Sequence, residues 1–150
     1  MYMSSSFQLE VSRRRYQGWR DALMRYHIPI QDNMIVECDT RSKAIIATPR
    51  ILQREDRPDA IFCVNDDCAA GVLHAAQILG VKIPEELSIC GFSNAPICRA
   101  TVPMLTTVQQ HGVAIGKRAT MRILKRLAGE DRIPQTEMVP TDLIVRETTK

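Results

Sequence analysis

The chain has 150 residues, 45% of them apolar and 25% charged, with a net charge of +3. That is about one domain with a sizeable core, and the composition excludes a disordered chain. The charge is too small to argue for nucleic acid by itself, and no apolar run approaches the roughly 20 residues of a membrane span.

Taken in order, Ser4–Ser6 are expected to cap a first helix, with Ser5 and Gln8 at capping-box spacing. The helix is predicted to run to about Tyr26. Its apolar face carries Phe7, Val11, Trp19, Ala22, Leu23 and Tyr26. Arg15 lies near the middle of that face, whereas Arg13 and Arg14 point away from it. A lone buried charge costs several kcal/mol, so Arg15 needs an ion pair, a snorkelling route to solvent or a polar ligand. Pro29 ends this region. Met34–Cys38 reads as a strand with Asp39 at its carboxyl end. Arg41–Arg54 reads as a helix of poorer pattern that Pro49 should kink or divide, and residues 54–59 are a charged, solvated connector.

Ala60 to Asn94 reads as one strand–helix–strand unit. Ala60–Val64 is an apolar run of strand length, and Asn65 and Asp66 are both helix-capping types. The helix Asp67 to about Leu79 stops at Gly80, and a second strand, Leu87–Phe92, ends in Ser93-Asn94. Two buried strands joined by a helix imply a right-handed parallel pair, with ligands beyond the carboxyl ends. The helix is apolar on two faces, one with Cys68, Val72, Ala75 and Leu79, the other with Ala69, Ala70 and Leu73 flanked by His74 and Gln77. It is therefore covered on two sides, by its own domain or by a partner. A strand at Leu105–Val108 follows, then a helix Gly112–Ala128 with Val113, Gly116, Ile123, Leu124 and Leu127 on one face. Short strands at Met138–Val139 and Leu143–Val145 flank Pro140. The expected fold is a three-layer α/β sandwich with a mostly parallel sheet.

Four strand ends converge on one rim: Asp39, Asn65-Asp66, Ser93-Asn94 and Gln109-Gln110. No nucleophile has a positioned base. His27, His74 and His111 lack metal-ligand spacing, and Gly-x-Gly-x-x-Gly and P-loop patterns are missing. No catalytic residue, metal or cofactor is expected. The five cysteines, odd in number and without C-x-x-C, read as reduced thiols in a cytoplasmic protein. The N-terminus has no charged-then-apolar signal pattern.

VNDDCAAGVLHAAQILGVKIPEELSICGFSN resembles the effector-binding half of the lactose/galactose-repressor (LacI/GalR) family of bacterial transcription regulators. The resemblance extends through RRRYQGWRDAL, PMLTTVQQ and VPTDLIVRETTK, and keeps the motif order over nearly the whole chain. It implies a type I periplasmic-binding-protein-like fold, of which this chain is mainly the C-terminal subdomain. Residues 1–110 would be that effector-binding and dimerisation part. Residues 111–136 would be a returning helix of a missing N-terminal subdomain, and 137–150 a terminal strand segment. By the resemblance Arg15 reaches into the effector pocket, and Asn65 and Gln110 hydrogen-bond the effector. Asp39, Asp66 and Ser93 share their rim. The two-faced helix would enter a homodimer interface through Ala69, Ala70, Leu73 and His74.

Two positions depart from the pattern. Ser93 stands where the family often has Asp, and Thr40 where it often has an aromatic. A carboxylate accepting sugar hydroxyls contributes about 1.5–3 kcal/mol, tenfold or more in affinity. The expectation is a phosphorylated or otherwise anionic effector, or a weak site for neutral sugars. DNA would be bound only through a helix-turn-helix that this chain lacks, and no membrane is involved. Two other classes stay open. One is a periplasmic solute-binding protein of the same fold, against which the missing signal and unpaired thiols count. The other is a small α/β enzyme using Asp39 and Asp66, against which the missing nucleophile counts.

Overall fold

The computed structural model describes residues 1–130 and 133–150. A six-stranded sheet forms from β1 (Tyr2–Ser4), β2 (Ile35–Glu37), β3 (Ala60–Cys63), β4 (Ser88–Phe92), β5 (Thr106–Gln109) and β6 (Asp142–Ile144). Their order is β2-β1-β3-β4-β5-β6; every pairing is parallel except that of β6 with β5. Helices α1 (Glu10–Arg25), α2 (Arg41–Leu52), α3 (Asp66–Ile78), α4 (Ile97–Ala100) and α5 (Gly112–Leu127) complete the chain. This is the expected α/β sandwich. Helix α1 covers one face of the sheet through Tyr2, Tyr16, Trp19 and Phe62, whose ring centroids lie 5.6–5.9 Å apart. Helices α2 and α3 cover the other, where Met3, Ile61, Cys63, Cys68, Val72 and Ile89 are all buried.

Four local expectations need correction. Tyr2–Ser4 is an inner strand, not the lead into a cap: all three residues are fully buried, and Ser4 O accepts from Cys38 N. The first helix begins at Glu10, and Leu9 before it makes no side-chain cap bond. Ser5 Oγ instead meets Ser12 Oγ at 2.5 Å. Pro49 does not divide α2. It lies in the last turn, where the lost N–H removes a single rung before the helix ends at Leu52. Met138–Val139 forms no strand, because β6 alone pairs with the edge of β5.

The fourth correction concerns α3. Ala69, Ala70 and Leu73, expected at a dimer interface, are buried within the chain itself, and of that set only His74 is exposed. Helix α2 supplies the missing layer. The two helices approach so closely that a Cβ on Gly71 would meet Arg41 O and Ala44 Cβ at 2.5 and 2.8 Å. Ala69 turns the opposite way, onto Gly91 of β4.

No residue of α5 is buried. Val113, Ile123, Leu124 and Leu127 of its apolar stripe are 55–80% exposed. Of the proposed 111–136 segment, Asp131 and Arg132 lie outside the described residues.

Candidate functional site

Sequence order delivers the strand ends to one rim because each parallel strand runs in the same direction and hands over to a helix at its carboxyl end. A cleft of about 790 Å³ opens there, between α1, the ends of β3 and β4, and the start of α5. Arg15, Trp19, Phe62, Phe92 and Gln110 line it, with Ile115 and Thr141 on the far wall.

Arg15 is half-buried. Its Nη1 donates to Val64 O at 2.5 Å, and its guanidinium carbon stands 4.0 Å from the Phe92 ring centroid. The carbonyl and the ring face fix the planar fork by hydrogen bond and cation–π attraction. Burial lowers its proton affinity, but a guanidinium starts so high that it stays charged. It therefore presents a fixed cation to the cleft, without a carboxylate salt-bridge partner among the described residues.

Gln110 Nε2 donates to Ser93 Oγ at 2.9 Å, which ties the end of β5 to the end of β4. Ser93 and Asn94 both have left-handed backbones, with φ of 121° and 53°. Asn65 is the N-cap of α3: its Oδ1 accepts from Cys68 N at 2.8 Å, while its Nδ2 donates to Asp39 O at 2.8 Å. One N–H and one lone pair remain for a ligand. The Asp39 carboxylate pairs with Lys43 Nζ at 2.8 Å. Thr40, where the resemblance suggested an aromatic, caps α2 by accepting from Lys43 N.

Asp66 is placed differently from the expectation. It does not line the cleft. Its carboxylate is buried under the other face of the sheet, accepting from Thr107 Oγ1 at 2.5 Å and from Ala95 N at 2.7 Å. Gly91 makes room for it, since a Cβ there would fall against Asp66 Oδ1. The structure thus brings Arg15 and Gln110 into one cleft with Ser93 beside them, and leaves Asp39 and Asn65 on the adjoining rim. Phe62 and Phe92 were not singled out. Alternation along buried strands puts them on the side of Tyr2, but only the fold shows that both line the cleft and that Phe92 meets Arg15.

Residues 1–149 match the periplasmic binding protein-like domain family. The chain belongs to that family. Its members here are of the LacI/GalR regulator type. The transcriptional repressor PurR of Vibrio vulnificus is 32% identical over 99% of this chain and 45% of its own length. The PurR of Vibrio atlanticus is 35% identical over 91% of this chain and 41% of its own. This periplasmic binding protein-like chain thus spans a little under half the length of the curated relatives it matches. Among solved structures, the transcription regulator CcpA of Lactococcus lactis superposes with a TM-score of 0.91 at 27% identity, over 99% of this chain and 55% of that one. A CelR–cellobiose complex superposes at 0.92 with 23% identity, over 98% and 45%, which shows the shared fold. A sugar-binding LacI-family regulator of Escherichia coli, solved with phosphate, superposes at 0.85 with 25% identity, over 98% and 53%.

Proposed function

We propose that this chain is the effector-binding portion of a DNA-binding transcriptional regulator, which takes a small molecule in the cleft beside Arg15. The fixed Arg15 guanidinium on Phe92, next to the Gln110–Ser93 pair, carries this reading. DNA is contacted by a helix-turn-helix elsewhere in the regulator, and the effector biases that contact. The regulator is cytoplasmic; among the described residues no helix is long and apolar enough to cross a membrane.

The chain is a binding domain and not an enzyme. The Cys90 and Cys98 thiols are poor nucleophiles: burial, with Asp66 nearby, raises Cys98 to about 11 and Cys90 to about 12. Among the described residues no cluster of three His, Cys, Asp or Glu side chains could hold a metal ion.

The effector is a sugar derivative bearing an anion. Among the described residues Arg15 and Arg14, the latter paired with Glu10, line the cleft, and no carboxylate does. The phosphate in the Escherichia coli neighbour agrees with that charge preference. Calorimetry of the regulator with matched neutral and phosphorylated monosaccharides tests this. The phosphorylated member should bind at least tenfold more tightly; tight binding of the neutral sugar alone would sink the idea.

A homodimer forms at the groove between α2, α3 and α4. There His74 and Gln77 stand beside Ile97 and Val102, and the apolar Val102 is 82% exposed. Light scattering at tens of micromolar should give the mass of a dimer, reduced to a monomer by Val102→Glu. A monomer before substitution would end this part of the proposal.

A further inference from the structure

Ser93 and Asn94 follow β4 with consecutive positive φ values, 121° and 53°, although neither is glycine. Such backbones persist only where the surroundings hold them. Three successive amides are held: Ser93 N by Val108 O at 2.8 Å, Asn94 N by Thr107 Oγ1 at 3.2 Å, and Ala95 N by Asp66 Oδ2 at 2.7 Å. The Asn94 side chain is held at both ends. Its Nδ2 donates to Gln109 Oε1, and its Oδ1 accepts from Arg146 Nη2 at 2.7 Å. Arg146 is itself fixed by Nη1 on Leu105 O at 2.6 Å and by its backbone N on Thr106 Oγ1 at 2.9 Å.

We infer that Arg146 is a positioning residue, which keeps Asn94 left-handed and so sets Ser93 Oγ against Gln110 at the mouth of the cleft. The chain leaves the sheet after β5, runs through α5, and returns by β6 to reach Arg146. That Ser93 faces the effector rests on the function proposed above; the hold of Arg146 on the turn does not.

The test is amide hydrogen exchange of this chain, read residue by residue, with calorimetry beside it. Arg146→Gln should speed exchange at Asn94 and Ala95 at least tenfold while Phe62 and Val64 in and beyond β3 stay within twofold. Asn94→Gly adopts the left-handed backbone without help, so adding it to Arg146→Gln should restore slow exchange at Ala95. Arg146→Lys retains the charge without the two-pronged fork and should fall between. Even acceleration through β4 and β5, or no rescue by glycine, would mean that Arg146 is merely structural. In the binding arm, glucose 6-phosphate serves as the probe. Lost protection with unchanged probe affinity would keep the latch and overturn the effector role of Ser93. Unchanged protection would overturn the latch whatever the probe does.

Discussion

Asp66→Ala should destabilise the chain by about 3 kcal/mol or more, the largest loss expected from any single polar substitution described here. The change strands the buried Thr107 Oγ1 and the part-buried Ala95 N, and each unsatisfied buried group costs about 1–3 kcal/mol. Domains of this size have only about 5–15 kcal/mol in hand, so the effect should be plain in a urea titration, as a lower midpoint at constant slope. Thr107→Val removes one of the same bonds. The double variant should fall short of the sum of the singles, because the two changes share an interaction. A loss below about 1 kcal/mol for Asp66→Ala would show that the carboxylate is not the clasp between α3, β5 and the turn after β4.

Arg15→Ala should abolish the effector response of the regulator while leaving operator binding intact. A charge-assisted hydrogen bond contributes about 1.5–3 kcal/mol, so affinity should drop roughly tenfold to a hundredfold. Arg15→Lys keeps the charge but loses the flat stack on Phe92 and the fork that reaches Val64 O. It should retain part of the response. Gel-shift titration against effector, with circular dichroism to confirm folding, separates the outcomes. A folded Arg15→Ala protein with an unchanged response would remove Arg15 from the site.

Much of this architecture is local, and local signals are legible along the chain. The unit from Ala60 to Asn94 declares itself through strand-length apolar runs, the Asn65 cap, and Gly80 at φ 70° after α3. The place of Arg15 on its helix follows from periodicity, and the motif order suffices to suggest the family that the domain match shows. Strand β1 was illegible because three residues span too little for a pattern, and its strand character comes from β2 and β3 on either side. The same holds for the cover of α3. Its two apolar faces are evident from spacing, but whether α2 or a partner fills the second depends on a helix–helix approach that only folding creates.

Asp66 shows the division most sharply. In the sequence it is one of two polar residues after a strand, equal in promise to Asn65. Residues 41 and 29 positions away in the chain decide otherwise: Thr107 and the Ala95 amide draw its carboxylate beneath the sheet. Asn65, one residue earlier, faces the first turn of α3 and stays at the rim. Charge and capping chemistry belong to the residue itself, so the sequence determines them. Which face of the sheet a carboxylate ends on is set by the register of β4 against β5, a long-range pairing that exists only in the folded chain.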